Sequence, residues 1–423
     1  MATIPSTNAS GRIITLDVIR GIAVMGIFAV NVIGMSMIDA AYLNPTAPKG
    51  WDLTDVSIWL VNYVLIDGKM RSLFSMLFGA SMLLVIERAE GAGERGWSVH
   101  FRRMGVLALF GLFHFYVIWF GDILFVYAIT GMAAFFFRNA RSQFLVFVAA
   151  VLFAWNAVGN IGGAVDLHAK AVAAQSLHAT VEQRETWQDA TDGWATETDQ
   201  FAREQVQHYD SPFMSRVADI DLPGPYYAVQ RTLPETLALM LIGMVLFRSG
   251  FLTGEWDDRS YRNIAWWGIG TGGAACLIFG IIEWASGFYA PLILLLFIGV
   301  GPPFHLVTAI GYAALIILLS RNPGPFRARV AAVGRAAFTN YLGSSILGAS
   351  IFYGSGLALY GTLDRAHVTL FVPLFWAIML LWSKPWLDRF RYGPFEWGWR
   401  TLARGKLQPM RKLPQHGAAT AEA

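Results

Sequence analysis

Few groups in this chain could carry chemistry, and His114 comes first, because it sits inside an apolar run, GLFHFYVIWFGDILFVY at 111–127. An imidazole there can exchange protons near neutral pH or attack an acyl group, provided that a carboxylate or amide orients it. Asp122 lies at the outer turn between two expected spans, and Tyr127 closes the run. Along an ideal helix, eight residues separate Asp122 too far from His114 for contact, so the orienting partner is expected from a different helix. Asn31, in the first apolar run, is counted with Asp122 among the groups that could assist. The plain alternative is that His114 only hydrogen-bonds between helices.

A second group is basic. Arg12, Arg20, Arg102, Arg103 and Arg335 flank apolar runs, and guanidinium forks suit phosphate oxygens. Topology and anionic headgroups alone also call for such residues. Asp17 and Arg20 stand one helical turn apart and can pair, on a helix whose Gly21 and Gly26 admit close neighbours. GRAAFTNYLGSS at 334–345 sets Asn340 and Tyr341 at the start of a span. GPFEWGWR at 393–400 puts Glu396 and Arg400 four apart on a short helix that Pro394 can open, with Trp397 and Trp399 at headgroup depth. That segment reads best as a C-terminal interfacial clamp. Glu283 and His305 are further isolated candidates, and no Ser/His/Asp, zinc-ligand or phosphate-loop spacing is present. No metal site is expected.

These groups must be positioned by membrane helices. Of 423 residues, 55% are hydrophobic and only 14% charged, and mean hydropathy is +0.46; soluble domains carry roughly 25% charged residues. Runs of about 20 apolar residues predict spans near 14–38, 70–87, 104–120, 122–137 and 143–165, then 233–251, 264–286, 300–320, 336–357 and 367–383. The expected fold is an all-α polytopic bundle of about ten spans. Segments 52–67 and 290–303, the latter broken by Gly301, Pro302 and Pro303, are expected to be interfacial or re-entrant. Basic residues predict cytoplasmic N- and C-termini. Arg88, Arg95, Arg102, Arg103, Arg138, Arg141, Arg248, Arg259, Arg262, Arg321, Arg327 and Arg329 fall on one side with the tail, whereas short opposite connections hold only Lys49, Lys69, Arg71 and Arg365.

The chain thereby divides into a front membrane half (1–165), an acidic extracytoplasmic insert with a helical middle (166–232), a rear half (233–400) and a basic tail (401–423). No repeat relates the halves, which argues against an inverted-repeat transporter. Scattered basic residues exclude a nucleic-acid stripe. The lone Cys276 excludes a disulfide framework. The N-terminal run is too long for a signal peptide and carries Asp17 and Arg20, so it is expected to be retained.

The chain resembles the YeiB-like family known as domain of unknown function 418. The resemblance rests on RIITLDVIRGIAVMGIFAVN, KMRSLFSMLFGAS, FHFYVIWFGDILFVYAI, GRAAFTNY and GPFEWGWR, and covers most of the chain. The LDxxRG opening and FSMLFG span are more distantly similar to transmembrane acyltransferases, the group of heparan-α-glucosaminide N-acetyltransferase and the acyltransferase-3 enzymes. That likeness implies acyl transfer from a cytoplasmic donor such as acetyl-CoA to an acceptor on the far side. It makes His114 the catalytic candidate and Arg12, Arg20, Arg102 and Arg103 candidates for donor phosphates. The chain departs from the glucosaminide enzyme in having no histidine between Asp39 and Asp67.

The leading expectation is therefore an acyltransferase-like protein of a bacterial inner membrane, acting on an envelope glycan or lipid. It would bind no tight cofactor, use acyl-CoA as co-substrate, and touch membrane lipids but no nucleic acid. The alternatives are a transporter lined by Asp17, Arg20, Asp122 and Glu283, and a sensory or binding protein that recruits a partner through the acidic insert.

Overall fold

The computed structural model describes residues 13–48, 50–191, 194 and 223–412. Among these the regular secondary structure is helical, and an isolated antiparallel β-bridge joins Phe390 to Arg411. Eight helical segments among the described residues are long and apolar enough to cross a bilayer. The protein is an all-α polytopic helical bundle.

The first span, α1 (Ile14–Ser36), is the axis of the molecule. After the short α2 (Ala40–Leu43) comes α3 (Leu53–Leu65), which begins with a reciprocal capping box: Asp52 accepts from the Thr54 and Asp55 amides while Asp55 accepts from the Asp52 amide. Gly68, at φ 71°, turns the chain into α4 (Lys69–Gly91). The next helices are α5 (Gly96–Phe113), α6 (Leu124–Phe135), α7 (Ser142–Gln175) and α8 (Val181–Thr191). The rear half contains α9 (Gly224–Arg248), α10 (Asp258–Ala285), α11 (Ala290–Ile293), α12 (Gly301–Leu319), α13 (Pro325–Arg335), α14 (Ala337–Phe352), α15 (Arg365–Arg389) and α16 (Pro394–Arg404).

Buried α1 residues such as Ile19, Ala23, Phe28 and Val32 pack against α4, α12, α13, α14 and α15, and Phe28 stacks on Phe375 of α15 at 4.1 Å. One hydrophobic core thus unites front and rear halves. Where α13 crosses α1 the backbones touch: a Cβ on Gly334 would overlap the Asp17 carbonyl, and one on Gly21 the Val330 carbonyl. Conversely, Phe147, Trp155 and Val158 on α7 and Trp266 on α10 are bare. Lipid is the solvent in which such an apolar surface is stable.

Several expected boundaries move. The span expected at 104–120 is α5 continued by one wide i→i+5 turn at His114–Ile118, and that expected at 122–137 is the shorter α6. Twelve residues reach only about 18 Å. Helix α7 runs on past residue 165 to Gln175, and α9 begins before residue 233, at Gly224. The region 290–303 is neither a separate re-entrant piece nor broken at its prolines. Ala290–Leu319 is one helical path with a second wide turn at Leu294–Val300, after which Pro302 and Pro303 occupy first-turn positions where no amide hydrogen is required. Lys69, Arg71 and Arg365 do not lie in open connections: each begins or enters a helix, Lys69 and Arg365 are fully buried, and Arg71 pairs with Glu235 at 2.6 Å. Lys49 lies outside the described residues.

Candidate functional site

The wide turn at the end of α5 brings the site together. His114 starts it, the Trp119 amide closes on the His114 carbonyl at 2.8 Å, and Trp119 is fully extended. The chain then doubles back through 120–123 into α6. Asp122 is returned to His114, with 3.0 Å between Nδ1 and Oδ1 and both side chains essentially solvent-free. This overturns the expectation that another helix must orient the imidazole. The ideal-helix rise fails here because the helix ends between the two residues. The other Asp122 oxygen accepts the Phe125 amide at 2.7 Å, which fixes the carboxylate at the head of α6.

With its Nδ1 held against a carboxylate, the imidazole keeps its proton on that nitrogen and leaves Nε2 as the basic atom. Nε2 has no hydrogen-bond partner. The Tyr341 ring of α14 stands 5.3 Å from the imidazole and that of Trp119 6.3 Å away, edge-on. Asn31 is half-buried on α1 and bonds to neither member of the pair.

Tyr341 also lines a cavity of about 280 Å³ at the end of the bundle where α1 begins and α4 ends, here called the basic face. Six arginines reach into this cavity, Arg20, Arg88, Arg103, Arg335, Arg391 and Arg400, against two carboxylates, Asp17 and Glu396. Both acids are engaged. Asp17 pairs with Arg20 at 3.0 Å, and Arg20 also donates to Ser81 at 2.9 Å. Glu396 accepts from the Phe338 and Thr339 amides at 2.7 and 3.0 Å and from the Thr339 hydroxyl at 2.5 Å, so it caps α14 from a distant segment. Burial pushes the Glu396 carboxyl up, and those hydrogen bonds pull against the shift. The cavity therefore keeps a surplus of positive charge.

Helix α16 closes the basic face. Trp399 donates to the Arg103 carbonyl at 2.9 Å and receives the Arg103 guanidinium over its ring at 4.2 Å, while its ring meets Phe338 at 5.7 Å. Glu396 and Ala403 of the same helix are buried, whereas Leu402 and Arg404 are exposed. Arg400 lies over Tyr392 at 4.7 Å.

Among the sequence candidates, the structure brings Arg20, Arg103, Arg335, Asp17, Tyr127, Tyr341, Glu396 and Arg400 to one cavity, with His114 and Asp122 behind Tyr341. Tyr127 is fixed by Ser75 at 2.8 Å. Arg102 is not there: it is exposed and donates to the Ser98 carbonyl within its own helix. Arg12 lies outside the described residues. Asn340 is spent on structure, donating to Val333 and Ser383 and accepting from Trp382. Arg88 and Arg391 join the cavity without having been singled out as ligands, since adjacency to a span does not say which way a basic side chain turns. Among the described residues no cluster of His, Cys, Asp and Glu could hold a metal ion.

Apolar helices of bilayer length, lipid-compatible bare faces and a charged cavity at one end define a polytopic helical membrane protein. The chain belongs to the DUF418 family, whose model, described as "Protein of unknown function (DUF418)", matches residues 246–406. It is 30% identical to "Uncharacterized protein YxaH" of Bacillus subtilis, covering 97% of this chain and 99% of that protein. It is 28% identical to "Uncharacterized protein YeiB" of Escherichia coli, covering 92% and 96%. A shorter match, 32% identical over 33% of this chain and 38% of the relative, is to "Uncharacterized 39.9 kDa protein in amylase 3'region" of Bacillus acidopullulyticus. No solved structure matches the chain.

Proposed function

We propose that this protein is a membrane-embedded acyltransferase of the bacterial inner membrane, with its basic face and both termini in the cytoplasm. It would take an acyl group from a phosphate-bearing thioester such as acetyl-CoA and pass it to a hydroxyl or amine of an envelope glycan or lipid. The carrying observation is the solvent-free His114–Asp122 pair, its Nε2 unpartnered, one aromatic side chain behind an arginine-lined cavity. Arginine forks suit the donor's phosphates. A histidine held by a carboxylate suits the transfer.

In that reaction Nε2 accepts the proton of the acceptor's hydroxyl as its oxygen attacks the thioester carbonyl. The C–S bond then breaks, and Nε2 returns the proton to the departing thiolate, so that atoms and charge balance without a net proton. Asp122 stabilises the transient imidazolium. Asp17, Arg20 and Ser81 set the entrance polarity, and Tyr341 separates the imidazole from the cavity.

The test is thioester turnover by purified protein in lipid, comparing wild type with His114→Ala. Loss of turnover is expected. Unchanged turnover removes His114 from the chemistry, and substrate flux into vesicles without donor consumption favours a transporter instead.

A further inference from the structure

A second polar cluster lies away from the arginine cavity, where α3, α4, α10 and α12 meet. Glu283 on α10 is wholly buried, and neither carboxylate oxygen has a hydrogen-bond partner. His305 on α12 is 2% exposed, with both ring nitrogens unpartnered. Tyr63 of α3, whose buried hydroxyl is also unpartnered, packs on both helices. Its ring meets that of His305 at 6.2 Å, edge-on, and its side chain presses on α10 at Gly280, one turn before Glu283.

The surroundings are equally polar. Lys69 of α4 is fully buried, donates to the Tyr63 carbonyl and lies 5.1 Å over its ring, with the Cys276 thiol of α10 as neighbour. Gly68 packs so closely on the His305 ring that no side chain fits there, and its φ of 71° favours glycine in any case. Asp67 accepts from the Tyr42 hydroxyl at 3.2 Å. Tyr312 of α12 donates to the Leu65 carbonyl, and Arg71 is committed to Glu235. A cavity of about 10 Å³, the size of one water molecule, is bounded by Tyr42, Asn62, Tyr63, Asp67 and Arg365.

An ionised carboxylate without a donor is among the most expensive groups to place in a membrane interior. Lys69 does not pair with it. Holding a proton removes that cost, and the buried His305 imidazole, which meets the same Tyr63 ring, provides a second proton acceptor. We propose that Glu283 and His305, on two helices that both pack on Tyr63, form a proton-binding site in which Glu283 is held as the undissociated acid and exchanges its proton through Tyr63 and Asp67. Acyl transfer as written above neither consumes nor releases a proton, so this site stands apart from it. It fits a protonation-dependent packing of the α3–α4 joint at Gly68.

Infrared difference spectroscopy of the protein in nanodiscs, titrated from acid to alkaline pH, tests the proposal. The wild type is expected to show the carbonyl stretch of a buried undissociated acid, absent from Glu283→Gln, with its midpoint displaced in His305→Gln. Should Glu283→Gln fail to fold, Glu283→Asp keeps the acid and must shift the band. Identical wild-type and variant spectra in that region at every pH overturn the proposal, and an unmoved midpoint in His305→Gln removes His305 from the site.

Discussion

Replacing Asp122 by Asn separates a catalytic His114–Asp122 pair from a structural one. The amide matches the carboxylate in size, and its oxygen can still accept the Phe125 amide now held at 2.7 Å. Its nitrogen then faces His114 Nδ1, which forces the imidazole proton onto Nε2 and abolishes the base. The imidazolium formed during transfer also loses its counter-charge. For unit charges about 4 Å apart at an effective dielectric of about 20, that interaction is about 4 kcal/mol, or roughly 10³-fold in rate. The pair has no access to water that could compensate. The assay is steady-state thioester consumption in lipid, with kcat and KM separated. The expected outcome is a kcat lowered about 10³-fold with KM little changed, since Asp122 does not line the arginine cavity. A variant that folds like wild type and keeps its kcat refutes the proton-relay role, whatever His114→Ala does.

Other outcomes follow from the same geometry. Arg103→Gln should raise the donor KM about tenfold or more, as expected for a lost charge-assisted contact, whereas Arg102→Gln should leave it unchanged; equal effects would contradict the placement of these neighbours on different faces. Glu396→Gln should destabilise the α14 cap by about 1–3 kcal/mol, and limited proteolysis should then cut more readily between α15 and α16. Gly334→Ala should drive α13 away from the Asp17 carbonyl and cost about 1–3 kcal/mol, read as a lowered midpoint of thermal unfolding in detergent. Unchanged midpoints would mean that the backbones are not in contact there.

The helices were legible in the residue order because a membrane span needs no partner to declare itself. An apolar run of hydrocarbon length satisfies its backbone internally and its side chains in lipid, whatever lies beside it. For the same reason α1 was placed nearly to the residue; the short helix opened by Pro394 and the pairing of Asp17 with Arg20 were legible because each is local to a turn or two. Boundaries slipped where helical geometry is irregular. No residue pattern announces an i→i+5 turn, so the ends of α5 and the continuity of Ala290–Leu319 escaped.

The tertiary structure alone decided which polar groups meet. Arg102 and Arg103 are adjacent in sequence but about 100° apart around their helix, and only packing against Trp399 turns Arg103 inward. Glu396 reaches the amides of α14 across more than fifty residues of chain, and Glu283, His305 and Tyr63 come from three different helices. Hydropathy reports how each residue partitions between water and lipid, which is a property of the residue itself. The facing of one helix towards another depends on ridge, groove and close-packed glycine contacts that no single segment contains.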